Sequence, residues 1–256
     1  MIRKCTSCVL KISDSATNKT LGSSQAQIYV DDILTHHEYK LGGYFVLIDL
    51  PDGSHTVKVK SYCYQSEQIE INVDSSIIRK PEDMVRYLML NPSERHPLAA
   101  SLPAVCGKAA GYDKIYILRH GGELKVAEDN AEAGRTDIKL FCPNSKPMLP
   151  CIYRINNSSA GKCEFVTLKG ADGDRYMLDK PLKNAHQRSA DVVPLISVSC
   201  GADGSFFLLL SKEFKVGKDG ISLTILAEKS GAVYTANVNA SEKGITDLGN
   251  IKLKKG

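Results

Sequence analysis

Short runs of alternating apolar and polar residues, repeated along nearly the whole chain, constrain the fold more than any other feature. Cys8, Leu10 and Ile12 fall on one side of an extended segment, with Val9 and Lys11 on the other. The pattern returns at residues 25–30, 43–50, 55–60, 68–73 and 85–90. A period of two sends successive side chains to opposite faces of a strand, so one face can be buried while the other meets water. The runs are spaced by roughly 8–12 residues and separated by Gly, Asp, Asn, Ser and Pro, the pattern of a sandwich or barrel. The only helical windows, at 81–84 and 127–133, are short and lack an i, i+3, i+4 apolar stripe. The expected fold is all-β.

The 256 residues suffice for one large domain or two ordinary ones, with a core that needs neither disulfide nor metal. Hydrophobic residues at 43% and charged residues at 24% exclude a disordered chain. Lys and Arg number 33 against 29 Asp and Glu, a net charge of +4, which excludes a strongly basic nucleic-acid binder and an acidic tail. No apolar run approaches the roughly 18 residues that a membrane-spanning helix needs. The N-terminal Met1-Ile2-Arg3-Lys4 is basic but precedes no apolar stretch of signal-peptide length, so the chain is expected to be made and kept in the cytosol.

That expectation governs the cysteines: Cys5, Cys8, Cys63, Cys106, Cys142, Cys151, Cys163 and Cys200. In a reducing compartment buried thiols are the default, and Cys63, Cys106, Cys163 and Cys200 lie in or beside apolar strand-like segments. Cys5-x-x-Cys8 with Cys142 and Cys151 is the set from which a tetrahedral zinc site would be built. The second pair, separated by eight residues with prolines among them, lacks knuckle spacing, so free thiols are expected there too.

An internal repeat sharpens the organisation. Gly43-Tyr44-Phe45 opens a strand followed by Asp52-Gly53 and the alternating run 55–59; Gly204-Ser205-Phe206 opens another, followed by Asp219-Gly220 and the run 221–226. Both continue to a further strand, 68–73 and 232–238, and to a short closing strand, 87–90 and 251–253. Glycine before the aromatic lets the chain leave a turn at positive φ. Asp-Gly supplies the next turn. The copies lie about 160 residues apart, too far for a solenoid, and predict two sandwiches.

The residues that carry these features resemble a known family. Asp14-Ser15-Ala16-Thr17-Asn18-Lys19-Thr20-Leu21 matches D-x-x-T-x-K-x-L, and residues 43–59 match G-Y-F-x-x-x-D-L-P-x-G-x-x-x-V-x-V. Residues 8–90 resemble the carboxypeptidase-regulatory-like, or transthyretin-like, β-sandwich, and 196–253 resemble its second half. Leu90-Asn91-Pro92-Ser93-Glu94-Arg95-His96-Pro97 is similar to the L-x-P-S-x-x-Y-P exit of small sandwich proteins encoded with contractile phage tails, R-type bacteriocins and related contractile injection systems, with His96 in place of an aromatic residue. In that group a glycine-containing strand opens the second domain, a place that Ala104-Val105-Cys106-Gly107-Lys108 suits.

The resulting expectation is an all-β chain of tandem antiparallel β-sandwich (transthyretin-like or immunoglobulin-like) domains. Residues 1–95 form the carboxypeptidase-regulatory-like sandwich and 96–256 an elaborated second one. A sub-boundary near 183–195 would apply if the less legible stretch 108–195 were a separate domain.

Catalytic patterns are sparse. There is no Gly-x-Ser-x-Gly elbow, phosphate loop or His-Glu-x-x-His helix. His36 and His37 are adjacent, so on a strand they would face apart. His120-Gly121-Gly122 reads as a hairpin turn with no nucleophile to serve. One of Tyr62 and Tyr64 is expected to pack at a sandwich edge and the other to face outward, and Lys252-Leu253-Lys254-Lys255 reads as a solvated basic tail. No catalytic residue, cofactor or metal site is therefore assigned, and the chain is expected to be no enzyme.

The resemblance implies a structural cap, collar or baseplate-associated virion component of a contractile phage tail-like particle. Its partners would be other protein subunits in a cyclic homo-oligomer, sixfold by resemblance, with no nucleic acid and no membrane insertion; the particle would leave the cytoplasm by lysis. The strands near residues 8–12 and 251–253 are the candidate contact edges. A surface adhesin or carbohydrate-binding module is the alternative, and an enzyme with a dispersed site a third.

Overall fold

The structure, a computed structural model, describes residues 5–76, 84–119, 124–142, 147, 149, 151–157, 162–210, 214, 216–218 and 220–255. It is all-β, and the chain divides into two compact units. The first is Met1–Leu102 with Phe207–Leu209; the second is Pro103–Phe206 with Leu210–Gly256.

The first unit holds β1 (Thr6–Asp14), β2 (Gln27–Val30), β3 (Ile33–Leu34), β4 (Glu38–Lys40), β5 (Tyr44–Ile48), β6 (Gly53–Lys60), β7 (Glu67–Val73) and β8 (Val85–Leu90). They make two sheets, ordered β4-β5-β1-β8 and β3-β2-β6-β7. The predicted alternation holds in β1: Cys8, Leu10 and Ile12 are buried, while Val9 and Lys11 are half-buried on the other face. Phe45 and Leu47 join them from the same sheet, with Ile28, Val30, Val57, Val59, Ile71 and Val73 from the opposite one, in a single core. Two sheets closing on one shared apolar layer is the sandwich arrangement.

The D-x-x-T-x-K-x-L stretch is a tight turn. Asp14 accepts hydrogen bonds from the Ala16 amide (2.8 Å) and the Thr17 hydroxyl (2.7 Å), while Asn18 sits at φ 58°. An acidic side chain capping its own turn explains its place in the pattern. The exit motif fastens the far end. Asn91 accepts from the Gln65 amide through its carbonyl, and the Ser93 amide donates to the Cys63 carbonyl.

The second unit holds β9 (Ala104–Lys108), β10 (Lys114–Leu118), β11 (Leu124–Val126), β12 (Asn130–Ala131), β13 (Asp137–Phe141), β14 (Cys151–Asn157), β15 (Lys162–Asp172) and β16 (Arg175–Leu178). It continues with β17 (His186–Gln187), β18 (Asp191–Ser199), β19 (Ser205–Leu209, of which Phe207–Leu209 group with the first unit), β20 (Val216–Gly217), β21 (Gly220–Lys229), β22 (Ala232–Ala240), β23 (Ile245–Asn250) and β24 (Lys254–Lys255).

Its topology repeats that of the first. The order β19-β9-β23 matches β5-β1-β8, and β9 runs parallel to β23 as β1 does to β8. The order β10-β21-β22 matches β2-β6-β7, antiparallel throughout in both. The glycines before the aromatics adopt the same conformation, φ 78° at Gly43 and 79° at Gly204. The turn glycines do likewise, with φ 135° at Gly53 and 99° at Gly220.

Between β10 and β19 the second copy carries an insertion with its own closure. β11 pairs with β13, β13 with β16, β16 with β15, β15 with β14, β14 with β18, and β18 returns to β11. Six antiparallel strands thus form a closed ring filled by Leu124, Val126, Ile138, Leu140, Tyr153, Ile155, Val166, Leu168, Tyr176 and Val192. Closure removes free edges. Period-two alternation is common to sandwiches and barrels, so the sequence pattern does not separate them. The long β18 pairs with β10 as well as with the ring, so 183–195 runs into a strand shared by both.

Four expectations need correction. The closing strand of the second copy is β23, not 251–253, which form no strand. β1 lies between β5 and β8, so it offers no free edge for assembly. Residues 254–255 are not a loose tail: β24 pairs with β22, with both lysines exposed. In the window 127–133 the described backbone contains β12 and no helix, because the chain there pairs with β17. The other helical window lies outside the described residues except for Met84.

Candidate functional site

The outward face of the β4-β5-β1-β8 sheet carries the most distinctive surface of the first unit. Cross-strand pairing lines up Glu38, Val46, Val9 and Val85 in one row and Lys40, Tyr44, Lys11 and Tyr87 in the next. An open groove of about 410 Å³ runs over this face, lined by Thr6, Val9, Glu38, Lys40, Val46, Ile48 and Met84. Its floor is aliphatic, and its rim carries one acid and one base that pair at 3.2 Å. The Lys11 ammonium stands 5.0 Å from the Tyr44 ring centre and 5.7 Å from that of Tyr87, a shared cation–π contact. Such a surface can hold an apolar or aromatic group beside a charge; it presents no nucleophile–base pair.

Sequence reasoning missed this face, although the signal is present. Tyr44-Phe45-Val46-Leu47-Ile48 is a continuous apolar run rather than an alternation. A strand apolar on both faces is one that expects cover on both. Next to β4, Leu41 is 92% exposed, and the edge strand β3 exposes Ile33 (70%) and Leu34 (60%).

Three buried polar groupings lie elsewhere. In the first unit Asp14, Tyr64 and His96 meet. The His96 Nδ1 accepts from the Leu98 amide (3.2 Å), so its Nε2 faces the Tyr64 hydroxyl at 3.3 Å and the Asp14 carboxylate at 3.7 Å. Burial first, then the Asp14 charge, pushes the Tyr64 phenol up to about 12. His96 therefore fills the aromatic place of the exit motif, its ring 5.1 Å from that of Tyr64. In the second unit Glu164 and His186 are buried together. Arg119, also buried, interacts with Cys151 and Tyr153. Burial pulls the guanidinium below its ordinary value, while it pushes the Cys151 thiol up against the opposing pull of Arg119. A thiol held protonated is a poor nucleophile and a poor metal ligand.

The remaining sequence candidates fall as follows. His36 is exposed, whereas His37 packs on Phe45 with ring centres 5.1 Å apart; both precede β4 and lie outside a strand. His120-Gly121-Gly122 lies outside the described residues. Tyr62 is exposed with Arg95 over its ring, and Tyr64 is buried, the division expected of this pair. All eight cysteines are free thiols; Cys8 lies in the first core, Cys151 in the ring core, and Cys142 against that core, 3.4 Å from the Tyr176 hydroxyl. Among the described residues no three His, Cys, Asp or Glu side chains are grouped to hold a metal. No helix among them is long and apolar enough to cross a membrane.

No family model matches this chain, and no curated protein matches its sequence. Among solved structures it is similar to the Bacillus anthracis TIE protein at 11% identity and a TM-score of 0.23, over 98% of this chain and 51% of that one. The chain therefore spans about half the length of that structure, and a likeness this low carries no argument about either fold or function.

Proposed function

We propose that this chain is a non-enzymatic structural and interaction protein, a cap, collar or baseplate-associated component of a contractile phage-tail-like particle. It binds a neighbouring subunit through the outer face of the β4-β5-β1-β8 sheet. One feature of the first unit supports this reading. In β5 only Phe45 and Leu47 are buried, while Tyr44, Val46 and Ile48 stay half-exposed, and Val46 and Ile48 line the open groove. Exposed contiguous apolar surface of this kind marks a protein contact. The resemblance to the carboxypeptidase-regulatory-like sandwich and to the exit motif of tail-encoded sandwich proteins supplies the particle, and with it a cyclic homo-oligomer.

The test is incorporation. Val46→Glu places a charge on the groove floor while leaving the inner core untouched; Lys243→Glu, on an exposed loop, is the control. Equal thermal stability with loss of particle incorporation for Val46→Glu alone supports the reading. Equal incorporation of both variants overturns it.

A second reading, a surface adhesin or carbohydrate-binding module, draws on Tyr44 and Tyr87, which give the same face an aromatic platform. Lys11 stands over both rings, so a sugar would have to displace it. Glycan binding that Tyr87→Ala abolishes, without any protein partner, favours this second reading.

A further inference from the structure

We propose that the outer face of the β4-β5-β1-β8 sheet receives β23 of a second copy of this chain, with its Asp247 on Lys11 and its Ile245 on Val9 and Val46. The inference rests on the reading of that face as a subunit contact and names the subunit. It begins from Lys11, whose ammonium stands over the Tyr44 and Tyr87 rings, with Tyr87 itself 40% exposed. A π face attracts a cation without neutralising it, so the charge is still there for a carboxylate to meet. The other base of that row, Lys40, already sits 3.2 Å from Glu38.

β23 carries the complementary pair. Ile245 is 54% exposed, and Asp247, also exposed, follows it on the same face of the strand. Thr246, between them, is half-buried on the other face, its hydroxyl accepting from the Ser241 amide at 2.8 Å. One Asp247 oxygen accepts from the Gly249 amide at 2.8 Å. That local bond fixes the side chain and leaves its charge intact.

Spacing and chemistry match between the two surfaces. Val9 and Lys11 alternate with buried residues on β1 and share its outward face. In both pairs an aliphatic side chain precedes a charge by two strand positions, about 6.8 Å. Laid face to face, Ile245 rests on the row Val46, Val9 and Val85, and Asp247 on the row Tyr44, Lys11 and Tyr87. The two tyrosine rings then flank the ion pair and keep water from it, which strengthens the attraction. The contact joins two different surfaces, so it is heterologous and repeats around an axis, as a closed ring requires.

The experiment mixes the full-length protein in natural and heavy-nitrogen forms and treats the concentrated mixture with a carbodiimide, which joins a lysine to a carboxylate in contact with it. Mass spectrometry is expected to find Lys11 of one isotope linked to Asp247 of the other. Light scattering is expected to show association falling about tenfold in Lys11→Glu and in Asp247→Lys, and returning when the two changes are combined. Asp247→Asn keeps the acceptor for the Gly249 amide, should weaken association as well, and guards against a variant that fails to fold. Copies that do not associate, a link confined to one isotope, or a combined variant no better than either single one overturns the proposal. If Val46→Glu still leaves the particles in that case, the face is a contact for another subunit. If Val46→Glu is incorporated, the reading of the face fails as well.

Discussion

The carboxylate of Glu164 and the imidazole of His186 lie 3.1 Å apart, both side chains almost wholly buried in the second unit. The separation is that of an ion pair, yet Glu164 Oε1 and both ring nitrogens lack the alignment of a hydrogen bond. The other carboxylate oxygen accepts from the Lys183 and Asn184 amides at 3.0 and 3.1 Å and from the Asn184 side chain at 3.2 Å. Glu164 on β15 thus fastens the segment that leads into His186 on β17. Removing Glu164 strands the amides of 183–184 and the buried imidazole beside them, at a cost of about 1–3 kcal/mol. Glu164→Ala is expected to lower the stability of the second unit by about that amount, and Glu164→Gln by less, since an amide oxygen still accepts from the 183–184 amides. Denaturant unfolding measures both. A Glu164→Ala protein within about 1 kcal/mol of the parent would show that the pair is dispensable.

The repeated topology makes Phe45 and Phe206 equivalents, each buried in the strand that follows a glycine at positive φ. Each change to alanine should cost about 3–5 kcal/mol. The glycines should be as intolerant. A Cβ on Gly43 would sit 2.5 Å from the Thr20 Cβ, and one on Gly204 would sit 2.9 Å from the Ala110 Cα. Gly43→Ala and Gly204→Ala are expected to lower the unfolding midpoint of their own unit. A neutral result at either position of a pair breaks the equivalence.

His55 gives the first unit a defined pH response. Its Nδ1 lies 2.7 Å from the Asp31 carboxylate and its Nε2 2.8 Å from the Pro51 carbonyl. The Asp31 hydrogen bond, then that carbonyl, raises the imidazole above its ordinary value of 6.5, and His55 in turn lowers Asp31. A raised histidine stabilises the fold fully below about pH 6.5 and loses that contribution as the pH climbs through the raised value. Asp31→Asn keeps an acceptor for the Thr56 amide but removes the charge. The stability gap between parent and variant should be widest in mild acid and shrink toward pH 8, and NMR should place His55 above about 6.5 in the parent and lower in the variant. A gap independent of pH contradicts this.

The strands of the first unit were legible where one face is buried, and alternation reports that directly: β1, β7 and β8 fall where the pattern puts them. The duplication was legible from glycine chemistry, since Gly43, Gly53, Gly204 and Gly220 all take φ values that other residues avoid. Ring closure between β18 and β11 was not, because it is a long-range pairing that leaves the local period unchanged. β23 was hidden by its exposure: Ile245–Asn250 has no buried residue, so it shows no apolar face to read. The groove over β5 was written in an unbroken apolar run, which identifies a strand but not what lies on its second face.

The most direct measurement of the proposed function is the protein composition of contractile particles purified from cells that make this chain, quantified by mass spectrometry against sheath and tube. The account predicts that the chain is present in a fixed ratio to those subunits, set by a closed ring, and that Val46→Glu removes it from the particles while the protein itself still folds. Particles that never carry the chain, from cells in which it is abundant, would contradict the account.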